Sequence, residues 1–85
     1  MNNKCNENTV YKTKDLYLSA CILASGIKLL ELQKESERVV FFIFSISPIK
    51  AEEIIRKHWS RELILPTHDV INAIRELRTR IHSIT

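Results

Sequence analysis

The chain predicts a small α+β domain with the element order β-α-β-β-α-α, and three observations predict it. The run Arg-Val-Val-Phe-Phe-Ile-Phe-Ser-Ile-Ser from Arg38 to Ser47 is short for a helix and dense in β-branched and aromatic side chains, which marks a strand. Gly26, the single glycine of the chain, directly follows an apolar run and marks a helix end, because a C′ residue adopts a left-handed backbone that strains other side chains. Val70, Ile74, Leu77, Ile81 and Ile84 recur at intervals of four and three, which defines an amphipathic helix.

At 85 residues the chain makes one domain. A domain of that size buries roughly 60–65% of the surface its unfolded chain exposes, so its core is small. An apolar content of 45% suffices for a globular fold, and one Gly with two Pro leaves little room for linkers. The expected layout is a flexible polar tail over 1–8 and a single α+β domain over 9–85.

Within that domain, Thr9 to Lys12 reads as an edge strand anchored by Val10 and Tyr11. Thr13 or Asp15 then supplies the oxygen that caps a helix from Leu16 to Ser25. Only Ser19 and Ser25 break its apolar ring, so it must be covered on most sides, with sheet beneath and either another helix or a second subunit above. Ile27 to Lys34 and Arg38 to Ile46 form an antiparallel hairpin across the polar connection Glu35-Ser36-Glu37. The unbroken apolar run Val40 to Phe44 places large side chains on both faces of the second strand, which predicts cover on both sides.

Ser47-Pro48 opens the next helix with a side-chain cap and a proline at N1, where its missing N–H costs nothing. That helix runs to Trp59 or Ser60, with Ala51, Ile54, Ile55, His58 and Trp59 on its apolar side and Glu53, Arg56 and Lys57 opposite. After a connector from Ser60 to Pro66, Thr67 is the expected N-cap of the last helix, with Asp69 favourable near its positive end.

The formal net charge of +3 makes the surface mildly basic. The two cysteines, Cys5 in the polar tail and Cys21 in the apolar run, read as an exposed thiol and a small core residue in a reducing compartment, not as a disulfide framework. The N-terminus lacks a signal-peptide core and no apolar run approaches spanning length, so the expected location is cytoplasmic.

For chemistry, the sequence offers no nucleophile paired with a base and no carboxylate pair at a recognisable spacing, and its single glycine excludes a Gly-rich phosphate loop. His58 has no second ligand at metal spacing and reads as a packed histidine. No catalytic residue, metal or cofactor is therefore expected. The candidates for nucleic acid are Arg56, Lys57 and Arg61 around the end of the middle helix, with Arg75 and Arg78 on one shoulder of the last helix; Trp59 can stack on a base if exposed. His82 shares that shoulder, and Arg80 stands opposite. The competing expectation is solvated helix faces and a core tryptophan. A homodimer is also expected, since the first helix and the aromatic strand carry more apolar surface than a domain this small can bury, and the alternative to a nucleic-acid-associated binding module is a homodimeric protein-interaction or inhibitor module with a protein partner and no nucleic acid.

Thr13-Lys14-Asp15-Leu16-Tyr17-Leu18, leading through Ala24-Ser25-Gly26-Ile27-Lys28-Leu29-Leu30, resembles the opening of an uncharacterised family of small prokaryotic and phage-associated domains. The resemblance extends from Val10 to Ile81 through the aromatic strand, a helix ending near a tryptophan and a final amphipathic helix. His58 stands where the family pattern leads one to expect a tyrosine. The resemblance implies the same architecture and a mobile-element setting, and it implies no activity.

Overall fold

β3 (Val40–Phe44) is the middle strand of a three-stranded antiparallel sheet, between β1 (Tyr11–Thr13) and β2 (Leu29–Lys34). The computed structural model describes residues 9–84. Three helices complete the expected order: α1 (Leu16–Ala24), α2 (Pro48–Trp59) and α3 (Thr67–Ile84). The tail over 1–8 and the thiol of Cys5 lie outside the described residues.

Alternation along β3 divides its run of large side chains. Phe42 and Phe44 are buried in one cluster with Ala20 and Ile22 of α1, Ala51 of α2, and Ala73 and Leu77 of α3. Burial of side chains this large stabilises the fold by about 2–3 kcal/mol each. Phe41 and Ile43 point the other way and stay half-buried. Among the described residues, β3 is thus covered by helices on one face and not on both as expected, because all three described helices lie on the Phe42–Phe44 side. Dimensions agree: a helix–sheet–helix sandwich needs about 25 Å between its outermost Cα atoms, two spacings of ~10 Å plus a helix radius on each side. The shortest principal extent of this domain is 17 Å, which holds two layers.

Strand register carries the same division outward. Tyr11 and Thr13 oppose Phe44 and Phe42, while Lys12 opposes Ile43 on the open face and holds its ammonium 4.7 Å from the centre of the Phe41 ring. β1 therefore begins later than the Thr9 expected, where its alternation matches that of β3. In β2, Leu29 opposes Phe44 and Glu31 opposes Ile43, leaving Leu30 as the extra residue of a bulge. This resolves the Leu29-Leu30 pair that breaks alternation in the sequence, with Leu29 in the core and Leu30 44% exposed.

Local signals set most helix ends. Asp15 is the cap of α1, accepting from the backbone N–H groups of Tyr17 and Leu18 at 3.0 Å each, while Thr13 Oγ1 accepts from the Asp15 N–H. Ser47 Oγ accepts from Lys50 N–H at the start of α2, with Pro48 in the first turn. The cap expected at Thr67 is corrected: the Pro66 carbonyl accepts from Asp69 and Val70, which places Thr67 already inside α3. The cap position just before the helix is thus held by Pro66, whose ring has no side-chain acceptor to offer the first N–H groups of α3.

α1 packs mainly on α3 and touches α2 more lightly, so it lies between them in the helical layer. Its buried residues are Ser19, Ala20 and Ile22, and the last two join the core cluster of Phe42 and Phe44. The rest of its ring is half-buried by its own chain, except Tyr17 at 58% exposure. Of the apolar surplus expected on this helix and on the aromatic strand, the helix's share is largely covered and the strand's share sits on the open face of the sheet.

Candidate nucleic-acid interface

Tyr17 and Cys21, one turn apart on α1, form its outward ridge, opposite the side that carries Ser19, Ala20 and Ile22. Each is met by a neighbouring helix. Arg78 Nη2 on α3 donates to the Tyr17 hydroxyl at 3.2 Å, and His58 Nδ1 on α2 lies 4.0 Å from Cys21 Sγ. His58 in turn meets Trp59 edge to face, with ring centres 5.0 Å apart. A continuous line of side chains therefore crosses the outer surface of the helical layer from α3 over α1 to the end of α2.

Trp59 is 71% exposed, which overturns both its expected place on the apolar side of α2 and the core-tryptophan alternative. The apolar side of the helix is centred on Ala51 and Ile54, and Trp59 falls at its margin, past the last turn that touches the core. His58 remains half-buried as the sequence expects, and it packs on Cys21 and Trp59.

Basic side chains stand at both ends of this line. Arg56, Lys57, Arg61 and Arg75 are exposed, and none makes an ion pair with a described residue. Arg56 and Lys57 occupy the last turn of α2, where the helix dipole alone favours cations. No such effect accounts for Arg75 in the middle of α3. On α3 the spacing of Ile71, Arg75, Arg78 and His82 makes one exposed row, while Asp69, Asn72 and Glu76 make another, where Arg80 is bound to Glu76 at 3.3 Å. Charge is thus sorted across this helix, basic on one flank and acidic or neutralised on the other. The two basic sets belong to separate helices and join only across α1.

Arg61 has a positive φ of 66°, a conformation that costs a side-chain-bearing residue about 1–2 kcal/mol. It is the C′ residue of a Schellman motif ending α2, with Glu62 N–H donating to Lys57 O at 2.8 Å and Arg61 N–H to His58 O at 3.2 Å. Gly26 fills the same position after α1, as its sequence context predicts, with Ile27 N–H donating to Ile22 O and Gly26 N–H to Leu23 O.

The Cys21 thiol is free, and its pKa is raised by burial and, secondarily, by the Asp15 carboxylate. That holds it protonated and unreactive near neutrality. Among the described residues no group of three or more His, Cys, Asp and Glu side chains can hold a metal ion, and no helix is long and apolar enough to cross a membrane. Tyr17 is the interface residue that the sequence reading leaves out, absorbed there into an apolar ring. Its signal was the i, i+4 pairing with Cys21 on the side opposite the smallest residues, Ser19 and Ala20.

No curated protein and no solved structure matches the chain. A family match covers residues 8–83, which takes in all of the fold except the last residue of α3 and every residue of the candidate interface, and the chain belongs to that family, Domain of unknown function (DUF5659).

Proposed function

We propose that this domain is a non-catalytic binding module that meets nucleic acid through its phosphates, working in the cytoplasm in a phage or mobile-element setting. The observation that carries the reading is the placement of exposed cations at both ends of the Tyr17–Cys21–His58–Trp59 line, Arg56, Lys57 and Arg61 at the end of α2 and Arg75 on α3, none of them paired with a described carboxylate, while Arg80 is neutralised. Arg78 joins them, since the neutral Tyr17 hydroxyl leaves its charge available to a phosphate. Planar guanidinium groups match phosphate oxygens in pairs, which suits them to this contact. The setting rests on the sequence resemblance.

The test is a titration against DNA at two salt concentrations. Four contacts among Arg56, Lys57, Arg75 and Arg78 give a slope of about −3.6 on logarithmic axes with duplex, from about −0.9 per phosphate. Replacing Arg75 and Arg78 together with Ala reduces that slope by nearly two units at unchanged circular dichroism. No binding to any nucleic acid at low salt overturns the reading.

A second reading, a homodimer without nucleic-acid binding, is favoured by the open face of the sheet. Half-buried Phe41 and Ile43 lie there, and no helix of the described residues covers them. A face-to-face pair of such sheets would bury them. Light scattering at micromolar concentration reads a dimer in that case, and Ile43→Lys returns it to monomer.

A further inference from the structure

We propose that the outer surface of the helical layer binds single-stranded nucleic acid, with Trp59 and Tyr17 as two stacking platforms. This rests on the phosphate-binding reading above and narrows it to one ligand form. Phosphate contact alone makes no use of exposed aromatic rings, since paired bases are stacked on one another inside a duplex. A single strand leaves its bases unstacked, and each base moved onto an aromatic ring gains about 1–3 kcal/mol. Trp59 and Tyr17 are 71% and 58% exposed, and neither belongs to the buried core or packs against it.

Both rings are held in place. Trp59 is braced by His58, which packs against Cys21 of the ridge, and Tyr17 is fixed at its hydroxyl by Arg78 and at its backbone by the Asp15 cap. A cation touches one platform and follows the other along the chain. Arg78 stands at the far end of the Tyr17 ring, and Arg61 follows Trp59 by two residues in a backbone conformation that favours glycine. The Asp15 carboxylate, whose charge reaches Cys21, lies at the N-terminal end of the same helix as Tyr17 and is occupied by the helix cap. A strand crossing here sets bases on Trp59 and Tyr17 and its phosphates toward Arg78 and the end of α2.

The chain contains a single tryptophan, so its fluorescence reports on one platform alone. The full chain is titrated at low salt with oligo(dT), oligo(rU) and a duplex of equal length, following anisotropy and tryptophan emission together. The expected result is tighter binding of one or both single strands than of duplex, with quenching of Trp59. The DNA and RNA arms separate the two sources of the ligand. Trp59→Ala and Tyr17→Ala each lower single-strand affinity roughly 5- to 150-fold and leave duplex affinity nearly unchanged, from the stacking energy above. Tyr17→Phe keeps the ring and therefore most of the affinity. Binding that prefers duplex, or that survives both Ala substitutions in variants with unchanged circular dichroism, overturns the stacking proposal while phosphate contact stands. Absence of binding to all three probes overturns both.

Discussion

Gly26 and Arg61 occupy the same position after their helices, at φ 95° and 66°, and close the same pair of reverse hydrogen bonds. Only the glycine does so without strain. Arg61→Gly removes the strain at the end of α2, partly offset by the greater freedom of glycine in the unfolded chain, and raises stability by about 0.5–1 kcal/mol. Urea denaturation measures the gain. If Arg61 contacts phosphate, the same variant binds nucleic acid more weakly, so stability and affinity move in opposite directions. A variant that loses stability shows that the Arg61 side chain has a stabilising role outweighing its backbone cost.

Ser19 Oγ is fully buried and has no hydrogen-bond partner among the described residues. A buried hydroxyl without a partner costs about 1–3 kcal/mol, and alanine is the better helix former. Ser19→Ala therefore stabilises the domain by about 1 kcal/mol, which raises its melting temperature by about 4–8 °C for a chain of this size. A lower melting temperature shows that the hydroxyl has a partner, for instance a carbonyl one turn back.

The raised pKa of Cys21 has a defined direction with pH. Folding holds the thiol neutral, so its contribution to stability is complete below the ordinary thiol value of 9.0 and is lost as pH rises through the higher folded value. The wild-type protein consequently loses more stability than Cys21→Ala between about pH 8 and pH 10, with Cys5 present in both. Guanidinium melts of the two proteins across that range give the difference. Parallel curves would show that the thiol ionises alike in both states.

Those parts of the fold that depend on local chemistry were readable from the residues alone. Ser47-Pro48 fixed the start of α2, Gly26 fixed the end of α1, and the intervals from Val70 to Ile84 fixed α3. Sequence could not show which face of β3 the helices choose, because Val40 to Phe44 is apolar at every position and carries no alternation to read. Nor could it place Trp59, whose exposure depends on where α2 leaves the core. The basic residues were legible as a set, but their union across α1 depends on Tyr17 meeting Arg78 over 61 residues of chain, which no local pattern records.

The bulge at Leu30 gives β2 two phases: residues up to Leu29 keep one in-and-out alternation, and residues from Glu31 keep the opposite one. A foreign strand reading along this outer edge from Leu29 meets a kink, and beyond it a span of only four regular residues bearing Glu31 and Lys34. A fibril grows by adding strands to an unbroken, uncharged edge, and this edge is neither. The extra leucine that spoils the alternation thus acts as a guard against edge-to-edge polymerisation along β2, and it leaves the open face and the three-residue edge of β1 as the routes by which another chain can approach the sheet.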